Sequence, residues 1–249
     1  MKIISGMHRS GSSLVAQLFF EADADFGNPD TFYDADKWNP NGYFEQNEIL
    51  NINMSLINGI WGKAAYLFPP STSTILKRAQ RYSGSIRKIN EKYDKKIIKE
   101  NRFCLTLPAW QAYDANIYKI LICFRDPIQV ASSLQKRNKI PLWLGYSLWQ
   151  RHYQLLLKFT QNIPKKFIYY KNLLDSSTCF NEVSTAFHFF DIELSNEKLM
   201  EICHKTIKQD MNHGPIEETI YPENIASSWN SLLKMHSEQT NSYPPCDTI

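Results

Sequence analysis

The junction between a short apolar run and a loop of small residues constrains the fold more than any other segment. Residues 2 to 5 have the composition of a strand, and the loop from Gly6 to Ser13 leads into an apolar helical pattern. Gly6 and Gly11 allow a tight turn whose N–H groups point inward, and the helix beginning near Ser12 adds free amides and the positive end of its dipole. The sequence therefore predicts an α/β junction that binds a phosphate-like anion.

The spacing of the two glycines matches the first part of a Walker A nucleotide-binding loop, but the lysine of that motif is missing. Ser12 stands where the lysine would reach the β- and γ-phosphates, which argues against an ordinary ATP or GTP site. The positive charge lies inside the loop instead, as Arg9 beside His8. There it can stabilise a terminal anion, or the bridging oxygen that takes up charge as a bond breaks.

A second strand-to-helix junction predicts another anion site. The run from Tyr118 to Phe124 is apolar enough for a strand buried on both faces of a parallel sheet. Arg125 follows it, ahead of an Asp-Pro pair that is typical of a helix start. Ser133 comes eight residues after Arg125, and Arg137 one helical turn later. A guanidinium and a hydroxyl can therefore converge on a second anion at the same sheet edge.

The two junctions resemble the cofactor-binding segments of sulfotransferases that use 3′-phosphoadenosine-5′-phosphosulfate (PAPS). By this resemblance, the 5′ end of PAPS, or of its product 3′,5′-adenosine bisphosphate, is bound by His8, Arg9, Ser10, Gly11, Ser12 and Ser13. The 3′ end is bound by Arg125 and Ser133, with Arg137 nearby. Tyr170 resembles the family's tyrosine near the adenine, although Lys171 replaces the acid that usually follows; the alternative is an aromatic residue that covers the core.

Two further segments resemble one branch of that family. Residues 38 to 49 resemble the Gly-aromatic-aromatic-Glu segment of bacterial sulfotransferase-like proteins often associated with cell-surface polysaccharide synthesis, and residues 102 to 108 resemble the strand that follows. The resemblance covers about residues 1 to 175. It implies a carbohydrate or glycolipid acceptor.

Sulfuryl transfer to a hydroxyl needs a base for the proton and a positive charge for the leaving oxygen. Glu45 is the preferred base, since the turn and the aromatic residues before it can exclude water and raise its pKa. Glu48, one helical turn later, and a residue not singled out remain alternatives. Arg9 is the preferred stabiliser of the bridging oxygen. The predicted function is PAPS-dependent sulfuryl transfer by in-line displacement.

The 249 residues and 43% hydrophobic content suffice for one large core. Apolar runs at 2 to 5, 103 to 107, 118 to 124 and 166 to 170 alternate with helical patterns. They predict an α/β three-layer sandwich with a central parallel sheet and a P-loop-like phosphosulfate-binding loop. The prediction is a single domain over 1–249, with a basic helical insertion at about 71–102 and a mobile C-terminal tail from about 237.

Composition limits the partners. The basic insertion is interpreted as a solvated helical pair, with attraction to an acidic acceptor or peripheral contact with a membrane as the alternative. The net charge of only +3 and the lack of interleaved aromatic residues argue against nucleic acid. Six histidines and five cysteines show no metal-ligand spacing, so no metal is expected. The chain opens on a strand, without a signal peptide or transmembrane run, which predicts a cytoplasmic protein.

Two other functions stay open at this point. A P-loop kinase would use Asp126 as a magnesium ligand after the apolar strand. A non-catalytic nucleotide-binding module would keep the fold and would not need Glu45. Neither the acceptor nor the oligomeric state is encoded in any pattern of the sequence.

Overall fold

A parallel sheet of four strands lies at the centre of the molecule. The computed structural model describes residues 1–59, 62, 65, 67–207 and 219–242. The strands run β1 (Lys2–Ser5), β2 (Ile97–Lys99), β3 (Lys119–Phe124) and β4 (Lys165–Tyr169), in the spatial order β2-β1-β3-β4. Ile4 of β1 pairs with Lys99 on one side and with Leu121 on the other. All four carboxyl ends therefore lie at one edge of the sheet.

Helices connect the strands and cover both faces of the sheet. In chain order they are α1 (Ser12–Phe20), α2 (Asn47–Asn58), α3 (Thr72–Ala79), α4 (Ser83–Lys92), α5 (Phe103–Gln111), α6 (Pro127–Asn138), α7 (Leu142–Phe159), α8 (Tyr170–Leu174), α9 (Cys179–Phe189), α10 (Asn196–Thr206) and α11 (Glu223–Ser242). Short 3₁₀-helices occur at Pro29–Thr31 and Gln80–Tyr82. Among the described residues, no helix is both long and apolar enough to cross a membrane.

Successive side chains of each strand enter two separate cores. Ile3, Ile120 and Ile122 pack with α2 to α7 and α11 on one face. Ile4 and Leu121 pack with α1, α9 and α10 on the other. Both faces of the sheet are buried, which explains why the strands are continuous apolar runs rather than alternating apolar and polar residues. The predicted α/β fold with a central parallel sheet between helical layers is confirmed.

One predicted strand is wrong. Residues 103 to 107 begin helix α5, and the strand beside β1 is Ile97–Lys99 instead. A short apolar run reads the same in a buried strand and a buried helix, and every side chain from Phe103 to Leu107 is buried. The true strand has three residues and ends in a lysine within the basic stretch, so no apolar run marked it.

The basic insertion is helical over α3 and α4 but then joins the sheet as β2. Ile75, Ile86 and Ile89 face the core, while several cations make ion pairs. These pairs are Arg87 with Asp114, Lys92 with Glu48 and Lys96 with Asp25. The arrangement is that of a solvated helical pair, and contact with a membrane stays a prediction.

Side chains from α9 and α11 occupy the outer edge of β4. The Gln239 side chain accepts a hydrogen bond from the Phe167 N–H and donates one to the Lys165 carbonyl. Glu182 accepts from the Tyr169 N–H at 2.7 Å and lies 3.0 Å from His236 Nε2. Helix α11 includes residues 237 to 242, the start of the tail predicted to be mobile, whereas 243 to 249 lie outside the described residues.

Candidate active site

A cavity of about 400 Å³ opens at the carboxyl edge of the sheet. We call it the cationic cavity, and it is lined by His8, Arg9, Gly11, Ser12, Ser13, Leu14, Gln17, Trp38, Asn39, Pro40, Asn41, Tyr43, Lys99, Asn101, Arg125, Arg137 and Tyr170. Four of these described residues carry a fixed positive charge, and none is a carboxylate. An anion is the ligand that such a lining favours.

The carboxyl ends of the four strands bring together residues that line the cationic cavity. Arg9 follows β1, Lys99 ends β2, Arg125 follows β3 and Tyr170 follows β4. These four positions are far apart in sequence, but parallel strands place them at one edge. This edge is where ligands bind in open α/β sheets.

The loop after β1 has the features of an anion cradle. Gly11 has φ +86°, and a Cβ there would lie 2.2 Å from Cδ2 of Tyr170, so only glycine fits. Gly11 is the N-cap of α1 and provides no side-chain cap, which leaves the first amides of the helix to the cavity. Ser12 Oγ donates to Asn101 Oδ1 at 2.7 Å and thereby fixes the loop to the segment after β2.

Ser10 lies behind this loop instead of in the cavity. Its hydroxyl is 2.8 Å from the Tyr153 hydroxyl, its N–H bonds the Met7 carbonyl, and the residue is 1% exposed. The prediction that Ser10 contacts the anion is therefore not supported by its geometry. Ser12 and Ser13, also predicted for the anion, do line the cavity.

Three guanidinium groups in the cationic cavity lack a carboxylate partner. Arg9 Nε donates to Ser133 Oγ at 2.8 Å, and Arg125 lies 4.4 Å over the Tyr170 ring. Arg137 lies 5.9 Å over the Trp38 ring. None of the three forms an ion pair with any described residue.

Burial and mutual repulsion act on these arginines. Burial lowers the pKa of Arg9, and the nearby charge of Arg137 lowers it further. Burial likewise lowers the pKa of Arg125, to which Arg9 contributes. A bound anion would relieve both effects, because it supplies the missing opposite charge.

The two residues that the sequence predicted to share an anion have different hydrogen-bond partners in the structure. Arg125 Nε donates to Gln129 Oε1 at 2.7 Å, whereas Ser133 holds Arg9 and does not line the cationic cavity. Arg137, predicted for the same anion, lies on the wall shared with a second cavity.

The second cavity has a volume of about 340 Å³, and we call it the adjoining cavity. It is lined by His8, Tyr33, Tyr43, Glu45, Met54, Ile57, Asn58, Leu67, Arg102, Leu105, Leu134, Arg137, Asn138 and His152. His8, Tyr43 and Arg137 line both cavities. The two spaces therefore meet at these three side chains.

A buried ion pair links the two cavities beside this wall. Lys99, which lines the cationic cavity, lies 2.5 Å from Oε1 of Glu45, which lines the adjoining cavity. Glu45 Oε2 accepts from Arg102 Nη1 at 3.0 Å, and Arg102 also bonds Glu100. Glu45 and Lys99 are each 2% exposed.

The ion pairs decide the protonation of Glu45. Burial raises its pKa, but the charges and hydrogen bonds of Lys99 and Arg102 outweigh burial, so the pKa is lowered. The prediction that enclosure by aromatic residues raises this pKa is wrong. Glu45 is therefore an ionised carboxylate that lines the adjoining cavity.

Glu48, the alternative base, lies elsewhere. Helix α2 begins at Asn47, so Glu45 precedes it and the two glutamates do not share a helix face. Glu48 accepts hydrogen bonds from Lys92 and from the Tyr93 hydroxyl at 2.7 Å. It lines neither cavity.

Comparison with solved structures shows which known fold the chain has. The sulfotransferase domain from the curacin biosynthetic pathway superimposes with a TM-score of 0.52 at 14% identity, over 94% of this chain and 97% of that one. Sulfotransferase STF9 from Mycobacterium avium has a TM-score of 0.47 at 11% identity, over 97% and 76% of the chains. The chain has the sulfotransferase fold. No family model matches it, and no curated protein is similar in sequence.

Nine of the described residues that line the cationic cavity were not named as site residues from the sequence, among them Trp38, Tyr43, Lys99 and Asn101. Trp38 and Tyr43 belong to the segment that carried the family resemblance, but their roles were not assigned. They are held over the cavity because Asp36 accepts from the Trp38 N–H and the Tyr43 hydroxyl, both at 2.8 Å. Lys99 and Asn101 were hidden in the basic stretch.

The histidines of the site are uncharged. Burial, with the charge of Arg102 and other cations, holds the pKa of His8 well below 6.5. Burial lowers the pKa of His152 to about 4. Within the described residues, no group of three or more His, Cys, Asp or Glu side chains could hold a metal ion.

Proposed function

We propose that this protein transfers the sulfuryl group of PAPS to a hydroxyl group of a second substrate. The observation that carries the proposal is the pair of joined cavities. The described lining of one has four cations and no carboxylate, and the other contains the ionised Glu45. A donor with two anionic ends fits the first cavity, and a neutral nucleophile fits the second. The shared fold agrees with this assignment.

The residues of the cationic cavity fit the two ends of PAPS. At one end, Arg125 and Tyr170 lie close together and provide a cation and an aromatic face for the 3′-phosphate and the adenine. At the other end, Arg9, Lys99 and the free amides of α1 would hold the phosphosulfate. PAPS supplies an activated sulfuryl group. The side chains of this end would surround that group.

Charge stabilisation and proton transfer fall to different groups. In the overall reaction, the acceptor oxygen bonds to sulfur while the bond from sulfur to the phosphate oxygen breaks. Arg9 and Lys99 would stabilise the charge on that leaving oxygen. Glu45 would take the acceptor's proton, so the products are a sulfate ester and 3′,5′-adenosine bisphosphate.

Lys99 couples the two substrates in this proposal. As long as Lys99 and Arg102 both bond Glu45, the carboxylate is a weak base. If the Lys99 ammonium bonded to the phosphosulfate instead, Glu45 would lose one of its two partners and its pKa would rise. The base would therefore gain strength only after the sulfuryl donor has bound.

Asp126, which a kinase would need as a magnesium ligand, already has hydrogen-bond partners within the protein. The Asp126 side chain caps α6 by accepting from the Ile128 N–H and also accepts from the Tyr221 hydroxyl. It lines neither cavity. Together with the missing Walker lysine, this arrangement favours sulfuryl transfer over phosphoryl transfer.

The first experiment is thermal unfolding with 3′,5′-adenosine bisphosphate, with ADP and with ATP plus magnesium. At a hundredfold excess over the dissociation constant, binding stabilises the native state by about 2.7 kcal/mol, which is a shift of about 5 to 10 °C for a chain of this size. We expect the shift with the bisphosphate. A shift only with ATP and magnesium would favour the kinase instead.

Glu45→Gln then separates an enzyme from a non-catalytic binding module. We expect the variant to bind 3′,5′-adenosine bisphosphate normally and to lose transfer by about 100-fold or more, because the proton acceptor is gone. Glu48→Gln is the matched control, since Glu48 is outside both cavities. Unchanged transfer in the Glu45 variant would exclude this residue as the base.

A further inference from the structure

The described walls of the adjoining cavity indicate which class of hydroxyl compound enters it. We infer that the acceptor is an uncharged alcohol whose hydroxyl is carried by an apolar body, alkyl or aryl, rather than a free saccharide. This inference rests on the proposed sulfuryl transfer and narrows its acceptor.

Apolar side chains from three helices form the body of the cavity. Met54 and Ile57 lie one turn apart on α2, Leu105 lies on α5 and Leu134 on α6, and Leu67 lies on the segment before α3. Ile57, Leu105 and Leu134 are buried side chains of the core, so the wall is part of the packed structure. Pockets with such walls bind ligands mainly by burying apolar surface.

Among the described residues, the charged side chains that line the adjoining cavity are already paired or are assigned to the sulfuryl donor. Arg102 is neutralised by Glu45 at 3.0 Å and by Glu100 at 2.9 Å. Arg137 lies on the wall shared with the cationic cavity, where the sulfuryl donor would use its charge. His8 and His152 are neutral, as their lowered pKa values require.

Several polar groups of the described lining already have partners within the protein. The Tyr43 hydroxyl donates to Asp36, His152 Nδ1 bonds the Leu148 carbonyl, and Arg102 bonds Glu45 and Glu100. His8, Glu45 and Tyr43 lie at or beside the shared wall, where a single hydroxyl would be oriented. Apart from these groups, the described lining offers the amides of Asn58 and Asn138 and the Tyr33 hydroxyl. A sugar ring would place several hydroxyls against apolar side chains, and buried polar groups without partners weaken binding.

A homologous series of alcohols tests the inference. With PAPS as sulfuryl donor, formation of 3′,5′-adenosine bisphosphate is measured with 1-butanol, 1-pentanol, 1-hexanol and 4-phenyl-1-butanol, and with methyl β-D-glucopyranoside and maltotriose. We expect kcat/KM to rise by about fourfold for each added CH₂ group. We also expect 4-phenyl-1-butanol to exceed both saccharides by about 100-fold or more.

A variant in the wall supplies the second measurement. Met54 is half-buried, and Met54→Gln keeps the length of the side chain while it adds a polar group. We expect the variant to lower kcat/KM for 4-phenyl-1-butanol by about tenfold and to leave the affinity for 3′,5′-adenosine bisphosphate unchanged. Ser55→Gln places the same residue on the exposed side of α2 and should change neither quantity.

The outcomes separate this inference from the function on which it rests. Faster transfer to either saccharide, or no dependence on alcohol length, overturns the apolar acceptor and leaves the sulfotransferase proposal standing. Normal binding of 3′,5′-adenosine bisphosphate with no transfer to any of these alcohols also overturns the inference. Failure to bind the bisphosphate at all overturns the proposed function itself.

Discussion

At the scale of single residues, the cationic cavity depends on arginines that repel one another. Arg125 is one of them, and it lies over Tyr170 without an ion pair to any described carboxylate. In our proposal it binds the 3′-phosphate, which adenosine 5′-monophosphate lacks. Removal of the Arg125 side chain should therefore weaken binding of 3′,5′-adenosine bisphosphate strongly and binding of adenosine 5′-monophosphate only slightly.

Arg125→Ala should weaken binding of 3′,5′-adenosine bisphosphate by about 10- to 100-fold, because a hydrogen bond to a charged group contributes about 1.5–3 kcal/mol. Binding of adenosine 5′-monophosphate should change by less than about threefold. Isothermal titration calorimetry measures both, and the exposed Arg81→Ala is the control. Equal weakening of both nucleotides would contradict the assignment of the 3′ end.

Glu45 also predicts how stability depends on pH. Its pKa is lowered below the ordinary 4.5 in the folded protein, so the unfolded chain binds this proton more tightly. The stabilisation is thus present above about pH 4.5 and is lost as the pH falls through the lower, folded value.

We expect the free energy of unfolding to decrease less steeply below pH 4.5 in Glu45→Gln than in the wild type. Urea unfolding at a series of pH values between 7 and 3 measures this difference. The exposed Glu238→Gln serves as control. Parallel curves for the wild type and the Glu45 variant would mean that the carboxylate is not held in its charged form by Lys99 and Arg102.

At the scale of elements, the turn between β1 and α1 must bring its backbone against Tyr170. Gly11→Ala should lower the free energy of unfolding by more than 1 kcal/mol, since it combines a positive φ with a contact of 2.2 Å. Gly84→Ala should instead be neutral or stabilising by up to about 1 kcal/mol, because Gly84 lies in α4 with open space around it. Chemical denaturation compares the two, and equal effects would contradict the close approach.

The element scale also shows what the sequence could and could not predict. Strands β1, β3 and β4 are predictable, since each contains a run of apolar side chains. Helix α5 is not, because side chains buried on all sides remove the periodicity that distinguishes it from a strand. Of the loop residues predicted to bind an anion, His8, Arg9, Gly11, Ser12 and Ser13 line the cationic cavity, whereas Ser10 does not. Lys99 could not be predicted as a lining residue, because in sequence it resembles the solvated lysines around it. Only the pairing of β2 with β1 places it at the edge of the sheet.

At the scale of the whole molecule, α11 returns to the sheet and closes it at β4. Gln239→Ala should lower the free energy of unfolding by about 1–3 kcal/mol, because the Phe167 N–H and the Lys165 carbonyl both lose their partner. Thermal and urea unfolding measure the change. Gln135→Ala, on the exposed side of α6, should change it by less than about 0.5 kcal/mol. An equally small effect at Gln239 would show that solvent replaces these hydrogen bonds.

The occupied edge of β4 also has a consequence for how copies of this chain can meet. An edge strand with free N–H groups is a template for a strand of another molecule, and it leads to swapped dimers or fibrils. Here the Phe167 and Tyr169 N–H groups are already bonded to Gln239 and Glu182. A second copy of the chain would find these N–H groups occupied, so stable self-association at this edge would have to use helical faces. Proteolytic removal of α11 would remove Gln239, and the Phe167 N–H of β4 would then be free to pair with a strand of another molecule.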